Sequence, residues 1–161
     1  MKHPKWTLSQ KMDLIQVDRL DEYQPLGRYL ILLFRAFEDE LIHELKQSGY
    51  EDVRASDLNI LRFVSPRGSL PSEIAKLAGI TKQAVGKMAG SLEKRGYLTL
   101  TQGDYDKRTR VVRFSPVGEQ LVGEMVEIII RIEKRFAAAL GKSPYKKLKS
   151  QLEKLFSLYR K

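Results

Sequence analysis

A mainly α-helical fold with one small β-hairpin follows from three features of the chain. Between Ser69 and Phe114, two short amphipathic segments flank a tight turn, and two short strand-like runs come after them. Before and after that stretch, apolar residues recur at three and four, the period of one helix face. Start and stop residues bracket those outer stretches: Pro25 with Ser48-Gly49, and Ser115-Pro116 with Gly141. The predicted architecture is a helix-turn-helix with a β-wing, flanked by long helices at both ends.

Taken in order, Leu8, Met12 and Ile15 have helical spacing and suggest a short first helix. Pro25 suits the first turn of the next one, whose stripe is Leu26, Leu30, Leu33, Phe37, Leu41 and Leu45. Ile31, Leu32 and Phe34 widen that stripe until only a narrow side is left for water. Arg54-Ala55-Ser56-Asp57 starts another helix with Leu58, Leu61 and Val64 inward, and Pro66-Arg67-Gly68 turns the chain. Helix Pro71 to Ala78, turn Gly79-Ile80-Thr81 and helix Lys82 to Arg95 follow. In the second of these helices Val85, Met88 and Leu92 turn inward, while Lys82, Gln83 and Lys87 point outward. Two strands then enclose the polar loop Gln102 to Thr109.

Ser115 supplies an N-cap and Pro116 the first helical position of a helix of roughly 25 residues, about 37 Å long. Leu121, Met125, Ile128, Ile132, Phe136 and Leu140 line it. Ser143-Pro144 caps a last helix with Leu148, Leu152, Leu155 and Tyr159 on one face and Phe156 beside them.

Length and composition narrow the function classes. A chain of 161 residues is about one domain, here organised as terminal helices over 1–50, a helix-turn-helix with wing over 51–115, and terminal helices over 116–161. A formal charge of +9 favours a polyanionic partner. The absence of cysteine excludes disulfides, thiolate zinc sites and thiol redox sensing. His3 and His43 are far apart, so no metal site or cofactor is expected. Neither paired carboxylates nor a nucleophile beside a histidine points to catalysis, so the protein is expected not to be an enzyme. The N-terminus lacks an apolar core of signal-peptide length, and the runs Leu30 to Phe34 and Ile128 to Ile130 are too short to span a bilayer. A cytoplasmic protein without membrane contact is expected.

The second helix of a helix-turn-helix can enter the major groove of double-stranded DNA. Thr81 stands where an N-cap belongs, and that helix end offers free N–H groups and a positive dipole to a phosphate. Gln83 can bond adenine at N6 and N7, and Lys82 and Lys87 can reach guanine O6 and N7. Taken singly, each lysine also fits an ordinary solvated surface. Lys94 and Arg95 end the helix, where cations offset its negative terminus. In the wing, the Asp106 carboxylate can orient Arg108 for the narrow minor groove, although Asp104 and Asp106 also suit a plain turn. Lys107, Arg110 and Arg113 alternate along the second strand as candidates for phosphates.

Three long helices with wide apolar stripes expose more hydrophobic face than one reading unit can cover. A homodimer resolves this and spaces two half-sites ~34 Å apart; terminal helices folding back on a monomer are the alternative. The lysines 142, 146, 147, 149 and 154 fit a solvated face better than added DNA contact. The reading favoured by these residues is a sequence-specific DNA-binding transcriptional regulator; a winged module for protein or RNA is the alternative, against which Lys82 and Lys87 weigh.

The segments Leu70 to Ala75, Gly79 to Val85, Leu92 to Leu98 and Asp104-Tyr105-Asp106-Lys107-Arg108 resemble the multiple-antibiotic-resistance regulator (MarR) family. The likeness runs on through Val111 to Ser115 and Gly118, and Asp106-x-Arg108 after Asp104 is its most specific piece. It implies a homodimeric repressor or activator, often released from DNA by a small, frequently aromatic ligand. Phe34, Phe37 and Phe136 are candidates for such a pocket, though at helical spacing aromatics are more often core. Three departures stand out. Leu70 replaces a capping Ser or Thr, leaving Ser69 as a possible cap. Gly86 replaces a common serine, removing a hydroxyl and costing the helix up to ~1 kcal/mol, and stays in the DNA-facing set by position. Tyr105 replaces a common proline.

Overall fold

The computed structural model of the chain describes residues 25–102 and 110–159. The expected helix around Leu8, Met12 and Ile15 lies outside them. The chain divides into two units between Asp39 and Glu40, within the first described helix, α1 (Leu26–Gln47). Pro25 sits one residue ahead of α1 rather than inside its first turn, its carbonyl accepting from Arg28 N at 2.9 Å. Either position suits a residue without an N–H. In the first unit Leu26, Tyr29, Leu30, Ile31, Leu32, Leu33 and Phe34 are all exposed.

In the second unit, Leu41 and Leu45 on the last turns of α1 are buried. Gly49 ends the helix with a φ of 93°, a conformation that favours glycine. Helix α2 (Ala55–Leu61) starts where the Asp57 carboxylate accepts from Arg54 N at 2.9 Å. Leu58, Leu61 and Val64 are buried as their spacing predicts, and Val53 and Ile60 join them. Helix α3 (Pro71–Ala78), the turn at Gly79 (φ 67°) and helix α4 (Lys82–Lys94) make the helix-turn-helix. Ser69 does not cap α3. Its hydroxyl is turned inward and accepts from Ser65 N at 2.9 Å, while Glu73 reaches back to Leu70 N at 2.9 Å. The carboxylate thus supplies its half of a capping box, and Glu73 N, which a Ser or Thr hydroxyl would have taken, donates to Leu70 O at 3.0 Å.

Strands β1 (Leu98–Gln102) and β2 (Arg110–Phe114) pair antiparallel, with Leu98 opposite Phe114 and Gln102 opposite Arg110. Ser69 adds a bridge to Val112 through two backbone bonds of 2.9 Å, tying the chain before α3 to the wing. Helix α5 (Pro116–Leu140) opens as expected: Ser115 Oγ accepts from Gly118 N at 3.0 Å and donates to the Gly96 carbonyl. Leu121, Met125, Ile128 and Ile132 are buried along it. Arg131 bonds Glu44 at 2.8 Å, and Arg135 pairs with Glu40, holding the tail of α1 to α5. Helix α6 (Lys142–Ser157) begins one residue after α5 ends, because Gly141 (φ 87°) turns the chain sharply. Gly141, not Ser143, therefore holds the N-cap position, and Pro144 falls harmlessly within the first turn. No residue of α6 is buried. No helix among the described residues is long and apolar enough to cross a membrane.

Candidate nucleic-acid interface

Helix α4 is built to present one face and bury the other. Val85, Ala89 and Leu92 are fully buried, spaced at four and three. Met88, expected inward, is only half-buried, and the small Ala89 takes the core position. The start of α4 is fixed by Thr81, whose Oγ1 accepts from Ala84 N at 3.1 Å. Its end is fixed at Gly96 (φ 80°), where Tyr97 N donates to Leu92 O at 3.0 Å. Glu93 then accepts from Leu100 N at 2.9 Å, joining α4 to the wing.

Lys82, Gln83, Gly86 and Lys87 are exposed on the outward face beside the exposed Thr81. The five predicted positions in the turn and first two turns of α4 thus share one open surface. A side chain at Gly86 would meet no protein atom within 4 Å. Arg110, also predicted, is exposed at the start of β2. Asp106, Lys107 and Arg108, with Asp104, lie outside the described residues. Arg113 is half-buried, and its Nη1 donates to the Arg67 carbonyl at 2.6 Å, tying β2 to the turn before α3.

Arg95 holds a partner that the sequence reading missed. Its guanidinium bonds the Asp57 carboxylate at 2.8 and 2.9 Å and the Asp52 carbonyl at 2.7 Å. The bond to Asp57 raises its already high pKa further, against the opposing effect of burial. Beside it, Tyr97 donates to Asp52 Oδ1 at 2.5 Å, and burial first, then that bond, push the phenol up to about 12. The available signal was the aspartate of α2, but three residues after Arg54 it reads as a simple helix cap.

Phe34 is exposed in the first unit, and Phe37 is half-buried there; Phe136 is half-buried in the second. A cavity of about 540 Å³ opens in the second unit among Arg62, Phe63, Val64, Lys76 and Leu77, and none of those three aromatics lines it. Among the described residues no group of three or more His, Asp or Glu is placed to hold a metal.

A mostly helical chain with a two-stranded wing is the class this geometry defines. Residues 51–109 match the family model of the MarR family. Solved structures with the same fold include the transcriptional regulator Tm0710 from Thermotoga maritima. It is 24% identical, with 86% of this chain and 96% of that one covered and a TM-score of 0.59. The reduced form of MarR from E. coli is 20% identical over 84% and 98% of the two chains, with a TM-score of 0.71. A transcriptional repressor, CouR, bound to a 23-mer DNA duplex is 22% identical over 81% and 92%, with a TM-score of 0.67.

Proposed function

We propose that this chain is a sequence-specific DNA-binding transcriptional regulator, a repressor in sign, acting as a homodimer on a pseudo-palindromic operator. The observation that carries the reading is the open face of α4. Thr81, Lys82, Gln83, Gly86 and Lys87 are all exposed on it, while Val85, Ala89 and Leu92 anchor the opposite side. Such a face offers bidentate donors to base edges and cations to phosphates. Arg110, and by sequence Asp106, Lys107 and Arg108, extend the contact through the wing. Repression is supported by the DNA-bound repressor of the same fold.

Residues 1–50 and 116–161 supply the dimer contacts in this reading, supported by the apolar side chains that α1 and α6 leave in water. A small aromatic ligand is the proposed effector class, with Phe34, Phe37 and Phe136 as its candidate contacts.

The test is a duplex of about 30 base pairs selected by the intact protein from randomised DNA, long enough for two half-sites. Affinity should fall steeply as salt rises, as counterion release requires. Gln83→Ala should cost ~1–3 kcal/mol on the selected duplex and much less on a scrambled one. Equal losses on both would remove Gln83 from base reading.

A further inference from the structure

The contact that aims α4 lies at the end of the helix far from its proposed DNA-facing residues. Val85, Ala89 and Leu92 seat α4 along a single line. Apolar contact is non-directional, so such a line resists lifting far better than it resists pivoting. Direction comes from polar contacts, and at the C-terminal end these are the Glu93 carboxylate, which accepts from Leu100 N in the wing, and the guanidinium of Arg95, which makes the larger set. Four of the five guanidinium N–H groups are directed at protein oxygens: Nε at Ser91 O (3.3 Å), Nη1 at Asp52 O and Asp57 Oδ2, and Nη2 at Asp57 Oδ1. The carboxylate that receives two of them is itself fixed, because Asp57 is 5% exposed and its Oδ2 also accepts from Arg54 N. A planar fork on a fixed carboxylate sets orientation as well as distance.

The lever is long. Lys82 lies about 20 Å along the axis from Arg95 at 1.5 Å per residue. A pivot of about 5° at the clasp would carry Lys82 and Gln83 by roughly 1.5–2 Å, beyond what a base-edge hydrogen bond tolerates.

We infer that the Asp57–Arg95 clasp is a positioning element for base reading, acting through α4 on Lys82 and Gln83 without touching DNA itself. This rests on the DNA-reading role proposed above. With its N–H groups committed to Ser91, Asp52 and Asp57, Arg95 is a poor phosphate contact, although its place at a helix end and its charge suggest one.

The experiment compares intact protein with Arg95→Lys, Arg95→Met and Asp57→Asn on the selected duplex and on a scrambled duplex of equal composition, across a salt series. The ratio of the two affinities is the readout, since any unfolded fraction lowers both equally. Each variant should bind the selected duplex about tenfold more weakly and the scrambled one within about twofold, with the salt slope unchanged. Arg95→Lys keeps the charge and loses the fork, so it is the variant least prone to unfold. Equal losses on both duplexes, with a slope lowered by about one in Arg95→Met, would make Arg95 a phosphate contact and overturn the inference. A lower melting temperature with an unchanged ratio would reduce the clasp to a fold contact and overturn it too. If the unaltered protein shows no preference between the duplexes, the DNA-reading role itself fails, which none of the variant outcomes mimics.

Discussion

The winged unit and the last helix both carry a basic excess but differ in what they do with apolar side chains. In the winged unit Ile74, Val85, Leu92, Leu98 and Val112 are buried to 1% exposure or less, and the open face of α4 is polar and cationic. Leu77, 62% exposed, is an exception there. In α6 nothing is buried, and Leu148, Leu155, Phe156, Leu158 and Tyr159 on and just beyond it stand 40–85% exposed. A closed core behind a cationic face is finished and fits a polyanion. An amphipathic helix with its apolar side in water is unfinished and fits another apolar surface. The two regions therefore present chemically different surfaces, a polar cationic face in one and an apolar face in the other, in keeping with the DNA contact and the self-association proposed above.

The sharpest way to break that contrast is to charge the unfinished face. Leu148→Glu with Leu155→Glu in the full chain should cost the dimer about 3–5 kcal/mol, from four leucine side chains per dimer, each 40–45% exposed in the single chain, that can no longer be buried. Light scattering should then move from near twice 18.5 kDa toward a single copy. Urea unfolding of the winged unit should hardly change. An unaltered mass would mean that α6 is not a dimer surface, and the contrast would collapse.

A smaller effect tests how tightly the finished region is closed. Gly118 is buried at the start of α5, and a Cβ there would lie 1.9 Å from the Tyr97 carbonyl oxygen. That neighbour is backbone, so it cannot swing away as a side chain would. Gly118→Ala should destabilise the protein by about 3 kcal/mol, at the upper end of overpacking costs. A urea midpoint within error of the parent would show that α5 can slide off the wing, making the closed region softer than its burial implies.

Much of this arrangement could be read from local pattern. Helices α2 to α5 and both strands fall where period, caps and turns put them, because each signal needs only neighbours in sequence. The outward residues of α4 were equally readable, since they follow from which positions are apolar. What escaped were choices made across distance. Ser69 was free to cap α3 until the β2 strand and Ser65 claimed it. Ala89, not Met88, takes the buried position between Val85 and Leu92, a choice between adjacent positions that spacing alone does not make. Arg95 and Asp57 are 38 residues apart, and each had a sufficient local explanation, as a helix-end cation and a helix-start anion.

The smallest expected effect lies at the seam between α4 and the wing, where Tyr97 is 6% exposed and its hydroxyl reaches Asp52. Tyr97→Phe keeps the ring against Tyr50, whose centroid is 6.3 Å away, and removes only the hydrogen bond. Asp52 is exposed and regains water, so the loss should be about 1 kcal/mol at neutral pH. The alkaline range gives a signature that simple loss of packing would not. Folding raises the phenol from 10.0 to about 12, chiefly by burial and then by the bond to Asp52, so the folded chain holds that proton more tightly than the unfolded one. The contribution is fully present below pH 10 and is lost as pH rises through about 12. Urea midpoints of both proteins at pH 8 and near pH 11.5 should therefore differ in one direction. The parent loses more stability than Tyr97→Phe. A parallel decline in both proteins would mean that the phenol gives up its proton equally easily folded and unfolded, and that the seam is open to water.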